Sequence, residues 1–250
     1  MTQISPLTIE HLLAPIRVAA DMPDLRRALA IATRQMDFTY FALTHHIHPK
    51  RWKNISIALH NCPAEWVEFY ASRKLYKNDP ILHASTLTSL GFHWDELPQL
   101  IDMTPKRLEV LELYAEAGVG TGVTIPAHVP GEPTGSCTFA TAKDQKFPTH
   151  NMLNAQLLGA FAFQSARRIA GLMASSGHAG RPLTPRQRDC LLWAMRGKSD
   201  WEIAQILNLS TATVTQHIDM ARERYGVVKR LQLAVRAIYL GDISFDEVLF

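Results

Sequence analysis

Two short amphipathic segments in the C-terminal quarter of the chain are separated by only three residues, the pair Asn208–Leu209 and the following Ser210. Ser199 precedes the first segment, Asp200–Leu207, and Ser210 precedes the second, Thr211–Tyr225. Serine is a favoured N-cap because its side chain accepts a hydrogen bond from a free amide at the start of a helix. Four residues of the second segment form one stripe at helical spacing: Val214, Ile218, Ala221 and Tyr225. The pattern predicts two helices joined by a tight turn.

Two more helices flank this pair. Thr184 caps a predicted helix over Pro185–Arg196, and Gly197 is a favoured residue to end it. A fourth predicted helix runs over Lys229–Leu240, and an acidic and apolar tail, Asp242–Phe250, follows Gly241. The C-terminal part is therefore predicted to be an all-α domain of four helices that contains a helix-turn-helix.

The second helix of that motif is predicted to bind DNA. Its packed stripe leaves the opposite face free, and its N-terminal amides point to where phosphates would lie in a major-groove complex. From Arg181 to Leu240 there are ten Lys/Arg and five Asp/Glu, a basic excess that suits a polyanion. Candidates for base-edge or phosphate contact are Thr213, Thr215 and Gln216, and candidates for phosphate contact are Arg222, Arg224, Lys229 and Arg230. The alternative is a small helical bundle that binds protein, because Asp219 and Glu223 lie on the outward face.

Composition narrows the class of protein. The chain has 250 residues, 47% of them hydrophobic, which is enough for two globular domains. We expect no transmembrane span, since there is no apolar run of about eighteen residues, and no secretion signal at the N-terminus. Three widely spaced cysteines indicate reduced thiols and a cytoplasmic location.

A small, polar and glycine-rich segment, 174–182, is predicted to be a linker between domains 1–173 and 183–250. Upstream of it, helical and strand patterns mix. Predicted helices are Pro23–Met36, one beginning at Pro63, Pro105–Ala117 and Asn151–Ala174; predicted strands are Phe38–Thr44, Ile55–His60, Val123–His128 and Ser136–Ala142. The last two strands flank the turn Pro130–Pro133 and indicate a hairpin. The fold class is α+β, with an N-terminal α/β/α sandwich around a central antiparallel sheet.

The C-terminal domain closely resembles the LuxR-type helix-turn-helix domain. The resemblance is carried by Leu183–Leu191, Gly197–Leu207, Ser210–Val214, His217 and Tyr225–Val227. The N-terminal domain resembles the autoinducer-binding domain of the quorum-sensing members of that family. That resemblance is carried by Asn61–Trp66, Tyr70, Tyr76, Asp79–Pro80, Phe92–Trp94, Gly118–Pro126 and Gly135–Thr138. Together they imply a homodimeric receptor for an N-acyl homoserine lactone that binds a palindromic element in double-stranded DNA, with RNA polymerase as a further candidate partner.

The resemblance also implies roles for individual residues. The Trp66 indole N–H would donate to the lactone carbonyl, and the Asp79 carboxylate would accept the amide N–H. Thr138 would reach the acyl carbonyl, Tyr70 would line the tail, and Trp94 would pack against the head. These residue types suit the roles, because an indole only donates and a carboxylate only accepts. Without the resemblance, the aromatic residues would be read as core and Asp79 as a turn or cap residue.

Several positions depart from the family pattern. Cys62 stands where many members carry a tyrosine that bonds the acyl carbonyl, and Ile81 stands where some members are polar. Gln187 replaces a usual glutamate, and Asp219 replaces an arginine that reads bases in some relatives. The tail beyond Gly241 extends past the usual family terminus, and is either frayed or docked on the ligand domain or the dimer partner.

Three alternatives concern an enzyme, a metal site and a different ligand. No nucleotide-binding loop and no hydrolase or metalloprotease motif occurs, so an enzyme is not expected. A group of histidines, His45, His46, His48 and His60, invites a metal site, but no acidic or cysteine ligand stands at a suitable spacing and no metal is expected. A further alternative keeps DNA binding and replaces the lactone with another small molecule, or with none, because Cys62 is a weak donor.

Overall fold

The computed structural model describes residues 6–46, 57–172 and 182–250. Contacts divide the chain into two compact units, one from 1–128 with 133–172 and the other from 129–132 with 173–250. Apart from Pro182, the predicted linker 174–182 lies outside the described residues. The predicted boundaries, 1–173 and 183–250, therefore stay predictions.

The first unit alternates helices with a sheet. Its helices are α1 (Pro6–Val18), α2 (Met22–Gln35), α3 (Ala64–Ser72), α4 (Pro80–Ser85), α5 (Leu97–Leu100), α6 (Pro105–Glu116) and α7 (Met152–Ile169). Its strands are β1 (Tyr40–His45), β2 (Ala58–His60), β3 (Phe92–His93), β4 (Val119–Ala127) and β5 (Gly135–Ala142). Short 3₁₀ turns cover Leu75–Lys77, Trp94–Glu96 and Thr149–Asn151.

The five strands form one antiparallel sheet in the order β2-β1-β5-β4-β3. β4 and β5 pair as the predicted hairpin, with Ala127 opposite Gly135 at its closed end. β1 lies against β5 in the register Tyr40 to Ala140 through His45 to Gly135. The predicted antiparallel sheet with helices is confirmed.

One face of the sheet packs on α1, α2 and α7. Strand side chains alternate between faces, so this core takes every second residue of each strand. The buried strand residues on this face are Phe41, Leu43, Val123, Ile125, Cys137 and Phe139. The helices contribute Ile16, Leu25, Leu29, Leu158 and Phe163, all within the same cluster. The opposite face of the sheet is left to form the wall of a cavity.

Helix α7 is shorter than the sequence pattern predicts. It ends at Ile169, whereas the apolar pattern indicates a helix to Ala174. Gly171 follows with φ +72°, a left-handed conformation that glycine adopts without steric cost and that ends a helix. Residue 174 itself lies outside the described residues.

The second unit contains α8 (Pro185–Met195), α9 (Asp200–Leu207), α10 (Thr211–Tyr225), α11 (Arg230–Leu240) and α12 (Phe245–Leu249). The side chains of Thr184, Ser199 and Ser210 each accept a hydrogen bond from a first-turn amide, as predicted. Gln187 completes a reciprocal cap, because its side chain accepts from the Thr184 amide at 3.1 Å. Gln187 therefore completes the helix cap, without the ion pair that a glutamate at this position would allow.

The C-terminal tail corrects two predictions. It is neither frayed nor limited to a four-helix domain, because Ser244 caps a fifth helix, α12. This helix lies against α8: Arg188 forms an ion pair with Glu247, and Arg196 Nη2 donates to the Glu247 carbonyl at 2.7 Å. Ile243 is fully buried in the core of the unit. The sequence left two alternatives, a frayed tail or one docked on the ligand domain or the dimer partner, and the structure instead packs the tail on α8 of its own unit.

Candidate functional site

A cavity of about 1040 Å³ lies in the first unit, between the free face of the sheet and the segment that contains α3, α4 and α6. This volume is at the upper end of the range for small-molecule sites, which is about 300–1,000 Å³. All seven residues predicted to contact a ligand line it: Cys62, Trp66, Tyr70, Asp79, Ile81, Trp94 and Thr138. The structure thus brings together residues from one strand, two α-helices and three connecting segments.

Asp79 is the most constrained group in this cavity. It is the N-cap of α4, where Pro80 occupies the first helical position, and its Oδ1 accepts from the amides of Ile81 at 2.8 Å and Leu82 at 3.3 Å. Its Oδ2 accepts from the hydroxyls of Tyr70 at 2.6 Å and Tyr114 at 2.9 Å. The side chain therefore serves both as a helix cap and as a polar group of the cavity.

Burial sets the electrostatics of this carboxyl. Asp79 is only 2% exposed, and the loss of hydration raises its pKa, while the hydrogen bonds from Tyr70 and Tyr114 act in the opposite direction. Burial likewise raises the pKa of Tyr114 far above its usual value, with the neighbouring Asp79 carboxylate adding to the rise. Both tyrosines are therefore neutral donors, held by the carboxyl in one orientation.

An aromatic group surrounds Asp79. The Tyr114 ring lies 4.9 Å from that of Trp66 and 5.7 Å from that of Trp94, measured between centroids, and the Tyr70 ring lies 5.8 Å from Trp66. Such tilted pairs are favoured by the ring quadrupoles. The indole N–H of Trp66 has no hydrogen-bond partner within the part of the chain that the structure describes. Trp66 therefore presents an unused donor in the cavity wall.

A second polar chain links Trp94 to Thr138. The Trp94 indole donates to Thr124 Oγ1 at 3.0 Å, and Thr124 Oγ1 lies 2.9 Å from Thr138 Oγ1. When Thr124 donates its own proton to Thr138, the Thr138 hydroxyl is left to donate into the cavity. Gly122 makes room for the indole, because a Cβ there would lie 2.9 Å from Trp94 Cζ2.

Cys62 and Ile81 complete the predicted set. Cys62 Sγ lies 3.9 Å from the Phe41 carbonyl, and burial raises the pKa of Cys62 to about 11, so the thiol is protonated at neutral pH. Ile81 is 3% exposed and contributes apolar wall from the first turn of α4. At this point of the wall, Cys62 offers only the weak donor of a thiol.

Three polar residues of the site were not predicted. They are Tyr114, which donates to Asp79, Thr124, which bonds to Thr138, and Ser136, which lines the cavity. Tyr114 carried a usable signal, because it follows the buried Val110 by four residues on α6 and so shares its helix face. Thr124 and Ser136 lie at alternating strand positions, which identify a face but not a function.

The second unit presents a helix-turn-helix. Asn208 ends α9 in a left-handed conformation with φ +54°, and α10 begins three residues later. The predicted stripe is buried and holds α10 in place: Val214, Ile218, Ala221 and Tyr225. The opposite side of α10 is exposed, as a helix that enters a groove requires.

The predicted DNA-contacting residues fall into two groups. Gln216 and Lys229 are exposed, and Thr213 Oγ1 lies 2.8 Å from the Ser210 hydroxyl at the helix start. The others bind within the unit, through the four contacts Thr215 Oγ1 to Asp200 Oδ2, Arg222 to Asp219, Arg224 Nη1 to the Pro182 carbonyl, and Arg230 Nη1 to Asp200 Oδ1. Because Arg222 pairs with Asp219, the acidic charge on the outward face is partly neutralised.

The four histidines near β1 and β2 were considered above as possible metal ligands. His45, His46 and His60 lie on or beside β1 and β2, and His48 lies outside the described residues. Among the residues that the structure describes, no three histidine, cysteine, aspartate or glutamate side chains are placed to hold a metal ion. In the same part of the chain, no helix combines the length and hydropathy that crossing a membrane requires.

Known proteins are similar over nearly the whole chain. The transcriptional activator protein LuxR of Aliivibrio fischeri is 28% identical over 234 residues, which is 92% of this chain and 92% of that protein. The crystal structure of Escherichia coli SdiA has a TM-score of 0.70 at 20% identity and covers 97% of this chain and 98% of SdiA. SdiA in complex with octanoyl-rac-glycerol has a TM-score of 0.69 at 20% identity, with coverages of 96% and 97%.

Two family models match, and neither describes an enzyme. The autoinducer binding domain matches residues 21–167, which contain every residue of the cavity wall named above. The model of bacterial regulatory proteins of the luxR family matches residues 181–237, which contain the helix-turn-helix. The chain therefore belongs to the LuxR family of transcription regulators, with an autoinducer-binding domain followed by a DNA-binding domain.

Proposed function

We propose that this protein is a quorum-sensing regulator whose cavity binds an N-acyl homoserine lactone. The observation that carries the proposal is the pairing of an unused donor, the Trp66 indole, with a fixed acceptor, Asp79, in the wall of one cavity. A lactone head with a carbonyl, an amide N–H and an acyl carbonyl needs a donor, an acceptor and a second donor. Trp66, Asp79 and Thr138 supply them in that order.

The proposed acceptor, the Asp79 carboxylate, must give up an existing hydrogen bond to accept one from the ligand. Asp79 already takes four hydrogen bonds, which fill the roughly four lone-pair sites of a carboxylate. The ligand amide therefore replaces one tyrosine hydroxyl. We infer that this is the Tyr70 hydroxyl, because the Tyr70 ring packs against one indole whereas that of Tyr114 packs against two. Ligand burial then orders the domain by satisfying groups that water otherwise reaches.

Dimerisation is the next part of the proposal. Four exposed leucines of the first unit lie on α7 and on the segment before β3: Leu87, Leu90, Leu153 and Leu157. The two segments touch, because the Gly91 amide donates to Gln156 Oε1 at 2.8 Å. Exposed apolar side chains gathered in this way are typical of a protein interface. We infer that a second copy covers this leucine patch.

A dimer presents two copies of α10 to DNA. Each would enter a major groove, with Thr213, Thr215 and Gln216 nearest the bases and Arg222, Arg224, Lys229 and Arg230 near the phosphates. Half-sites would then lie about one helical turn apart, in a palindromic promoter element. RNA polymerase is a further candidate partner, and cytoplasmic location follows from this role.

Thermal melts of the full chain with a panel of acyl homoserine lactones test the ligand. Binding to the folded state alone raises its stability, by about 2.7 kcal/mol at a hundredfold excess over Kd. We expect one chain length to raise the Tm most, and we expect Trp66→Phe to remove most of that rise. A panel that leaves the Tm unchanged at millimolar concentration contradicts the lactone.

A second candidate keeps the regulator and changes the ligand. A solved structure of SdiA, which shares the fold, is a complex with octanoyl-rac-glycerol, an acyl compound without a lactone. The filled acceptor at Asp79 favours this candidate, because an acyl glycerol has no amide N–H that must displace one of the four hydrogen bonds to that carboxyl. Melts with an octanoyl glycerol beside octanoyl homoserine lactone separate the two.

A further inference from the structure

One carboxylate joins three helices of the second unit. Asp200 is the first residue of α9, and its Oδ2 accepts a hydrogen bond from Thr215 Oγ1 on α10 at 2.9 Å. Its Oδ1 accepts from Arg230 Nη1, on the first residue of α11, at 2.5 Å. Arg230 also donates from Nη2 to the Lys198 carbonyl at 3.5 Å, which adds to the hold on its guanidinium. Arg230 therefore engages one carboxylate oxygen and leaves the other turned to Thr215.

The Thr215 hydroxyl donates into the unit and not away from it. Its two hydrogen-bond partners among the described residues are both acceptors, Asp200 Oδ2 and, at 3.1 Å, the Thr211 carbonyl. A hydroxyl has one proton and two lone pairs, and a charged acceptor binds the proton more strongly than a neutral one. Thr215 is itself exposed, so the part of the hydroxyl that DNA would meet is a lone pair.

This polarity decides which groups of DNA the Thr215 hydroxyl can contact. Phosphate oxygens only accept hydrogen bonds, so they have no proton to offer a lone pair. In the major groove guanine presents N7 and O6 and thymine presents O4, which are all acceptors, whereas adenine N6 and cytosine N4 donate. A hydroxyl that only accepts therefore bonds an amino group and is repelled by the acceptors of guanine or thymine. Each base pair has one such amino group, on its adenine or its cytosine.

We propose that Asp200 is a positioning residue for sequence readout, which makes Thr215 select adenine or cytosine on the strand that it contacts. Asp200 acts through the Thr215 hydroxyl and need not touch the DNA itself. This role rests on the proposed function, which places α10 in the major groove. Because phosphates repel a carboxylate, the benefit of Asp200 appears in base preference and not in overall affinity.

Asp200→Asn changes the polarity of the Thr215 hydroxyl at almost constant shape. Arg230 has only donors, so the new amide oxygen stays with Arg230 and the new NH2 group faces Thr215. The hydroxyl then accepts from that group, and its proton is released toward DNA or the Thr211 carbonyl. We expect the unmodified chain to favour A or C over G or T at the contacted position by about tenfold, and Asp200→Asn to lose most of this preference. Thr215→Val should lose it too, whereas Thr215→Ser should keep it.

The experiment selects duplexes with randomised half-sites on the full chain, with and without N-octanoyl homoserine lactone. The position whose base preference changes in Thr215→Val identifies the contact, and titrations of four duplexes that differ only there measure the preference. Glu223→Gln is the matched control, since it removes one negative charge from an exposed position of α10 as Asp200→Asn removes one from α9. It should shift the affinity of the four duplexes alike. Thermal melts check that each variant is folded, and the Asp200 side chain is 25% exposed, so an amide there should be accommodated.

The outcomes separate the role of Asp200 from the proposed function. A preference for G or T at the contacted position overturns the role, as does a preference for A or C that survives in Asp200→Asn or is lost equally in Glu223→Gln. If Thr215→Val changes no position while Gln216→Ala changes one, the role is wrong and α10 still reads the groove. If neither variant changes a position, or the full chain enriches no sequence with or without the lactone, the proposed DNA readout is wrong as well. Should Asp200→Asn fail to fold, equal preferences in Thr215→Val and the unmodified chain still overturn the role.

Discussion

The hydroxyl of Tyr114 donates to Asp79 Oδ2 at 2.9 Å, joining α6 to the first turn of α4 across 35 positions of the chain. The Tyr70 hydroxyl donates to the same oxygen at 2.6 Å from α3. Three helices of the cavity wall therefore meet at one buried carboxyl. Any change at this carboxyl affects both the shape of the cavity and the stability of the unit.

Tyr114→Phe should lower the free energy of unfolding by about 2 kcal/mol, because it leaves Asp79 with one fewer donor in a buried place. Urea denaturation at pH 7 measures the change. Tyr40→Phe removes a hydroxyl from the wall of the same cavity without touching Asp79, and it should cost less. If both variants lose the same free energy of unfolding, the hydrogen bond from Tyr114 to Asp79 does not stabilise the unit more than another hydroxyl of the wall does.

Trp66→Phe should weaken binding of the activating lactone by about tenfold to a hundredfold. The substitution keeps an aromatic ring against Tyr114 and removes the donor to the lactone carbonyl, leaving that carbonyl unpaired. Trp201→Phe is the control, since Trp201 is 65% exposed and lies on α9. Calorimetry on both variants is the measurement, and unchanged affinity in Trp66→Phe would refute the assigned role.

Acid should destabilise the first unit through His46. Its pKa is about 4 in the folded state and 6.5 in an unfolded chain, so the unfolded state takes up the proton first as the pH falls. The stabilisation is complete above pH 6.5 and is lost as the pH falls toward 4, with a decrease of about 2 kcal/mol between pH 7 and pH 5. His46→Gln should flatten this dependence, whereas the exposed His150→Gln should not. Parallel curves for His46→Gln and the unmodified chain would exclude His46 as the cause.

Ile243→Ala should destabilise the second unit by about 2–5 kcal/mol, the usual range for emptying a fully buried aliphatic site. The tail would then lose its anchor on α8, along with the bond between Tyr225 and Asp242. Phe250→Ala serves as the control, since Phe250 is 94% exposed. Thermal melts of the full chain decide the matter, and an unchanged transition in Ile243→Ala would mean that the tail does not stabilise the unit.

Lys229→Ala and Gln216→Ala should affect DNA binding in different ways. Lys229 is exposed at the start of α11, so its loss should weaken all duplexes alike and reduce the salt dependence by about one charge. Gln216 is exposed on α10, and its loss should weaken the specific duplex by about 1–3 kcal/mol more than a random one. Fluorescence anisotropy at several salt concentrations distinguishes them. Equal effects of Gln216→Ala on both duplexes would place it away from the bases.

Helix caps, helix faces and the hairpin could be predicted from the sequence because they depend on residues a few positions apart. The caps at Ser199 and Ser210, the stripe on α10 and the β4–β5 hairpin follow from helix and strand periods and from turn chemistry. The resemblance to the autoinducer-binding domain predicted the seven ligand-contacting candidates, and all seven line the same cavity. Some element ends were wrong, as at α7, where Gly171 stops the helix before the apolar pattern does, and elements such as α1 and β3 were not predicted.

Long-range partners were decided only by the tertiary structure. Nothing in the sequence pairs Tyr114 with Asp79, or His46 with Ser136 90 positions away, because each side chain has many possible partners until the strands and helices pack. The tail shows the same limit: its acidic and apolar residues left fraying and docking as alternatives. The arginines that bind it, Arg188 on α8 and Arg196 at the end of α8, lie more than 50 positions before the groups that they contact. Periodicity specifies which face of an element is buried, whereas packing specifies what that face meets.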